Sequence, residues 1–375
     1  VGRHRQAALG AMAALLLLAA GGVILSLAHA RSALERAGRN ERAMETFLAT
    51  VQSHAHAIDR RFFVDERILT ELASRAEEAL LSADPKIESR RYFSEDFDTP
   101  GRQPADFAWS EFYRRPISLE WPVLKLAPGI DRRVVDRDLR VLSILRSAFQ
   151  AVIQEALAAD GVALSTDEAR TRFASSGAEI IRAFVSLESG VHCTYPGVQG
   201  LAASYDPRMR PKYLVAARSR GIRWGNPYVD PFGHGGVLPA SMALYGADDA
   251  FVGVAGLVTT FESIRKDLSN LPDHGAIRDT LLVDDQARVV VRSSDASDVA
   301  PTGGGTAADD LDAEGAITLR PLEIPSVRSA ILERRSGHVE PDEEGPPRTV
   351  AFYPLRSLGW YYVVVADAAA ILEAP

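Results

Sequence analysis

Residues 204–233 read SYDPRMRPKYLVAARSRGIRWGNPYVDPFG, and in them tyrosines, arginines, a lysine and two aspartates stand between prolines that fix the backbone. Lysine is scarce in this chain: only Lys86, Lys125, Lys212 and Lys266 occur, so a lysine inside this cluster stands out. Proline is tolerated in the first turn of a helix, and residues 207–218 are read as a short helix. The flanking runs, AFVSLESGVHCTYPG from Ala183 and VLPASMALYGADDAFVGVAGLVTTF from Val237, are β-rich and alternate, as strands do. Residues 246–249 suit a hairpin turn between two of the strands, and a helix over 261–268 closes the unit. A second, smaller block follows: a strand, an Asp-Asp turn and a strand over 276–294, a glycine-rich acidic loop over 297–314, a helix over 326–335, and the strands RTVAFYPL and GWYYVVVAD.

Upstream, residues 7–28 carry neither charge nor proline and, at about 1.5 Å per residue, span roughly 33 Å, enough to cross a bilayer. Arg3 and Arg5 precede the run, so the positive-inside rule places residue 1 in the cytoplasm and residues after 30 outside. A cleaved signal peptide is the competing reading, because Ala28-His29-Ala30 has the A-x-A form. The chain opens on Val1 without methionine, as a segment of a longer protein would. From 31 to 81, apolar residues including Phe47, Val51, Ala55, Ile58, Phe62, Leu69, Leu72 and Ala76 recur near 3.6, which predicts a long helical rod with one packing face. Residues 87–130 are aromatic-rich and are expected to pack on the rod, and helices are expected over 138–159 and 166–184, the second capped by Ser165 or Thr166.

The order of these elements resembles the double Cache family of extracellular sensor domains. The likeness is carried by YDPRMRPKYLVAA, then PYVD, then the strand pair ending FVGVAGL and a helix. It implies an α+β fold in which a long N-terminal helix, preceded by a transmembrane helix, carries two PAS-like antiparallel-sheet subdomains. The expected divisions are 1–30 (cytoplasmic stub and membrane helix), 31–85 (rod), 86–185 (insertion and helices packed on the rod), 186–272 (membrane-distal subdomain) and 273–375 (membrane-proximal subdomain and return toward the membrane). In such receptors the output domain is a chemoreceptor signalling region, a kinase or a cyclic-dinucleotide enzyme, none of which is visible here.

In the amino-acid-binding branch of that family a tyrosine, an arginine and a Trp-Tyr pair surround the ligand carboxylate, and acids further on receive its ammonium. Tyr205, Arg210, Tyr213, Tyr228 and Asp230 match positions of this pattern. Lys212 stands where tryptophan is usual, and Val258 where an aspartate is usual. The resemblance therefore implies a ligand site of Tyr205, Arg210, Lys212, Tyr213, Tyr228 and Asp230. A guanidinium offers parallel donors to a carboxylate, and each charge-assisted bond contributes roughly 1.5 to 3 kcal/mol. Two cations against one acid suit a mono- or dicarboxylate better than a zwitterion. The alternative is that Lys212 pairs with Asp230, the pocket is closed, and the chain is an interaction or structural module answering to a protein partner. Arg208 and Pro207 are read as shaping the helix start, and Trp224 as core.

Other chemistry is not favoured. The net charge of −8 provides no basic field for nucleic acid. One cysteine, Cys193, excludes an intrachain disulfide framework. His54 and His56, two apart on a helix, face different directions and make a poor metal pair. His234-Gly235-Gly236 occurs without any Gly-x-Ser-x-Gly elbow, and no phosphate loop or kinase signature is present. The expectation is a non-enzymatic sensing region without cofactor or metal, anchored in the bacterial inner membrane, paired as a homodimer and binding a small organic acid or amino-acid-like ligand.

Overall fold

The computed structural model describes residues 2–82, 90–158, 165–272, 275–295, 315–341 and 346–373, with residues 2–24 and 315–316 described by backbone alone. A single helix, α1 (Gly2–Ser82), runs without interruption through the apolar run and the rod. Neither glycine nor proline occurs between Asn40 and Ser82, so nothing in that half breaks the backbone ladder. Its buried stripe divides in two. Phe47, Val51, Ala55, Ile58 and Phe62 enter one core, and Ile68, Leu69, Leu72, Ala73 and Ala76 enter another. The membrane-span side chains up to residue 24 lie outside the described residues.

After α1 come α2 (Ser94–Asp98), β1 (Ala108–Ser110), β2 (Arg115–Ser118), β3 (Val123–Leu126), α3 (Asp136–Ile144), α4 (Arg146–Ala158) and α5 (Thr166–Ser176). The stretch Asp136–Ala158 is long and apolar enough to pass as a membrane span, but it is half buried and the helices break at Leu145. It is core packing, with Leu139, Leu142, Phe149 and Ile153 in the larger core. Ser165 caps α5 by a reciprocal pair: its hydroxyl accepts from the Glu168 N–H, and Glu168 accepts from the Ser165 N–H at 2.9 Å. The helix expected to reach residue 184 ends at Ser176. Gly177 turns the chain at φ 72°, where a side chain would strike the ring of Phe112.

A strand then begins. The larger sheet is built from β4 (Ile180–Leu187), β5 (Val191–Tyr195), β7 (Arg223–Trp224), β8 (Tyr228–Val229), β9 (Gly236–Tyr245) and β10 (Phe251–Thr260), with β3 at its edge. The order β8-β9-β10-β4-β5-β3 is antiparallel throughout. The short β6 (Gly197–Val198) pairs instead with β2, making a three-stranded sheet β1-β2-β6 beside it. The strands from 108 to 126 thus join sheets. Every residue of β4 and β5 is buried. Between β6 and β7 the cluster read from sequence forms a 3₁₀ turn, Pro207–Met209, and helix α6 (Pro211–Ala217). The hairpin turn falls at 246–250, and α7 (Phe261–Ser269) follows, its Thr260 hydroxyl accepting from the Ser263 N–H.

The smaller sheet comprises β11 (Ile277–Val283), β12 (Arg288–Arg292), β14 (Arg320–Pro321), β15 (Gly337–Val339), β16 (Arg348–Leu355) and β17 (Trp360–Asp367), in the order β14-β12-β11-β17-β16-β15. One face packs on α1 and α7 through Leu282, Ala351, Tyr362 and Val364. The other is covered by α8 (Pro325–Leu332) through Val327, Ala330 and Ile331. A short α9 (Ala368–Glu373) ends the chain beside α1. The loop expected over 297–314 lies outside the described residues. The strand just after it, β13 (Gly315–Ala316), pairs with β8 and so ties the second unit to the larger sheet. The architecture is α+β, one long helix carrying two antiparallel-sheet units.

Candidate ligand-binding site

A small cavity, about 50 Å³, opens on the larger sheet. Strand β4 supplies Arg182 and Phe184 to its wall, β5 supplies His192, α6 supplies Lys212, and β8 supplies Tyr228. Tyr205, just before the 3₁₀ turn, and Phe232, in the β8–β9 turn, complete the aromatic lining. Backbone chemistry explains the local placement. Asp206 accepts from the Arg208 N–H at 3.0 Å and from the Arg208 guanidinium at 2.7 Å, which starts the 3₁₀ turn. Pro211 then opens α6 without a donor to satisfy. Gly256 on β10 admits the ring of Phe184, because a Cβ there would lie 2.2 Å from it.

The charges are unevenly distributed. Among the described residues two cations, Arg182 and Lys212, line the cavity and no carboxylate does. Arg210 stacks its guanidinium 4.6 Å from the Tyr205 ring centroid, and the Lys212 ammonium lies 5.2 Å from the Tyr228 ring and 5.4 Å from Phe184. The nearby acid, Asp230, is buried and accepts from Arg182 Nη1 at 3.1 Å. Phe232 is held between two guanidiniums, Arg182 at 4.4 Å and Arg115 at 4.5 Å. His192 accepts from or donates to Ser186 Oγ at 2.8 Å. Burial, then the charges of Lys212, Arg182 and Arg210, push the His192 imidazole down to about 3, so it stays neutral.

Of the residues expected to form the site, Tyr205, Lys212 and Tyr228 line the cavity and Arg210 stands behind Tyr205. Asp230, next to the wall residues Pro231 and Phe232, is in an ion pair with Arg182. Tyr213 is turned elsewhere: its ring packs edge-on against Phe251, and its buried hydroxyl makes no hydrogen bond among the described residues. Successive residues of a helix project about 100° apart, and here Lys212 faces the cavity while Tyr213 faces Phe251. Arg208 bonds Asp206, and Trp224 packs on Phe62 while donating to Glu66 at 3.0 Å, so both serve the fold. Arg182, His192 and Phe232 were not foreseen. An arginine inside the apolar run IIRAFV was the available signal for the first, since a charge in a buried strand needs a purpose.

No family model matches the chain, and no curated protein matches it. Among solved structures it is similar to the ligand-binding domain of the Pseudomonas aeruginosa amino acid chemoreceptor PctB in complex with L-Gln, with 18% identity, a TM-score of 0.40, and coverage of 60% of this chain and 76% of that one. It is also similar to the Campylobacter jejuni chemoreceptor Tlp3 ligand-binding domain in complex with L-norvaline, with 11% identity, a TM-score of 0.48, and coverage of 90% and 95%. A third is the Pseudomonas aeruginosa chemoreceptor PctC domain in complex with GABA, with 19% identity, a TM-score of 0.36, and coverage of 60% and 93%.

Proposed function

We propose that this chain is the extracytoplasmic, ligand-sensing region of a membrane-anchored receptor of the double Cache type, and that the cavity on the larger sheet binds a small carboxylate. The observation that carries the reading is the charge of the cavity wall: Arg182 and Lys212 line it, Arg210 lies behind Tyr205, and no carboxylate faces in among the described residues. A carboxylate entering such a wall exchanges water for charge-assisted donors. The depressed His192 imidazole, lowered by burial and by these three cations, supports the same positive field. The small volume favours a short ligand.

Anchoring fits the uncharged run 7–28, which continues into the rod without a break in α1. The larger sheet packs on the far half of the rod and the smaller sheet on the half nearer that run, an order that suits a membrane-distal sensing unit and a membrane-proximal one. Signalling then requires the ligand to bind one of two arrangements of the rod and α9 more tightly than the other. No reaction is assigned to these residues. The receptor works as a homodimer in this reading.

The test is a thermal-shift screen of the full chain in detergent against monocarboxylates, dicarboxylates, amino acids and amines, repeated with Arg210→Ala. A ligand at a hundred times its Kd adds about 2.7 kcal/mol of stability. The reading predicts that carboxylates stabilise the wild type and that the effect falls in the variant. Silence across the panel from a folded protein favours the alternative, a module with a closed pocket that answers to a protein partner. The tightness of the cavity is the feature favouring that alternative.

A further inference from the structure

We infer that this chain has a second input, a proton: Asp65 of α1 must hold one for the joint between the rod and α7 to close fully, so acid tightens that joint and neutral medium loosens it. The joint bears on both units, because α7 follows β10 of the larger sheet directly and leads on to β11 of the smaller one. Its Phe261, Ile264 and Leu268 share a core with Val51, Ile58 and Phe62 of α1. Beside this apolar seam a single guanidinium is surrounded by acids. Arg61 donates from Nε to Glu179 at 2.8 Å and from Nη2 to Ser263 at 2.8 Å, and its Nη1 lies 2.7 Å from Asp267 Oδ2. Each of its nitrogens thus faces a partner other than Asp65.

Asp65 itself is buried, and its Oδ2 accepts no hydrogen bond among the described residues. Glu179 and Asp267 reach water with part of their side chains, which Asp65 does not. An ionised carboxyl without donors in such a place is costly, and a proton removes the cost. The charged groups around it are Arg61 and Glu66 on its own helix, Glu179 just before β4 and Asp267 on α7, one cation against three further acids. Its carboxyl is accordingly pushed up to about 7, by burial first. His54 is another titratable link between α1 and α7, bonding the Asp267 carbonyl oxygen at 3.0 Å. Burial lowers that imidazole, so its contribution has the opposite sign and grows as pH rises.

The experiment is amide hydrogen exchange of the full chain in detergent from about pH 5 to about pH 8, each rate divided by that of an unstructured amide at the same pH. It compares wild type, Asp65→Asn and Glu179→Gln. In wild type, protection of the α7 amides should fall by up to about tenfold per pH unit between about pH 5 and 7 and level off above, because opening releases a proton only while the closed joint still holds one. Asp65→Asn has no such proton and should show none of this fall, while the His54 contribution stays. Glu179→Gln removes one of the acids that raise Asp65 and releases Arg61 Nε to turn toward it, so the levelling-off should move to lower pH. Protection that is flat or rises with pH in wild type overturns the inference, and so does an equal fall in Asp65→Asn. A levelling-off that stays in place in Glu179→Gln overturns it without recourse to the Asp65 variant. None of these outcomes depends on what the cavity binds.

Discussion

In the proposed reading single side chains decide what the cavity accepts. Lys212 and Arg182 border it, Arg182 paired with Asp230, and His192 adds nothing to the charge at ordinary pH because burial and its cationic neighbours hold the imidazole near 3. His234 is likewise pushed down to about 4, by burial first. Neither ring gains a proton between about pH 6 and 8, so propionate affinity measured by titration calorimetry should be flat over that range. A fall or rise centred near the ordinary histidine value of about 6.5 would mean that a ring at the site does titrate. At this scale the sequence revealed the residue types but not all their directions. The run from Tyr205 to Asp230 was legible because proline, arginine and tyrosine alternate in it. Tyr213 was not, because only the helical phase of α6 shows that it turns toward Phe251.

Among elements, the joint between rod and sheets rests on a buried knot of charge. Arg61 of α1 donates to Glu179, just before β4, at 2.8 Å and to Ser263 of α7 at 2.8 Å, and it approaches Asp267 of α7 to 2.7 Å. Asp65 lies one turn along α1, 2% exposed, with Arg61 and Glu66 on its own helix and Glu179 and Asp267 facing it from the others. Its carboxyl is raised to about 7, by burial first, with Arg61 lowering it and the surrounding acids adding to the rise. Its folded value thus lies above the unfolded one of 3.8. The folded protein holds a proton that the unfolded chain has released, so this residue's contribution to stability falls as pH rises from about 4 through about 7. Asp65→Asn removes that loss. Denaturant melts should show wild type and variant nearly equal near pH 4 and the variant more stable by about 2 to 4 kcal/mol near pH 8. A wild type that gains on the variant with rising pH would mean that Asp65 works ionised, as a partner of Arg61. Element boundaries show where periodicity runs out. Strand β4 is buried on both faces, so it alternates no better than a helix, and its start was read as the end of α5 until Gly177 at φ 72° broke the chain there.

For the whole molecule, the sequence carried the plan further than the details. An uninterrupted rod, two strand-rich blocks and a short return helix were all legible because each has its own period and punctuation, and α1, the two sheets and α9 follow that order. Two long-range connections had no local signal: β3 joining β5 at the edge of the larger sheet, and β13 crossing from the second unit to pair with β8. Both are pairings between distant segments, set by tertiary packing and not by propensity. The β13 crossing ties the smaller unit to the strand that carries Tyr228, a residue of the cavity wall. The most direct measurement is a crystal structure of the full chain grown with propionate. The account predicts propionate in the larger-sheet cavity, its carboxylate within hydrogen-bond distance of a cationic side chain of the wall. Propionate bound only against the smaller sheet, or an empty cavity in crystals of a protein that propionate stabilises, would contradict it.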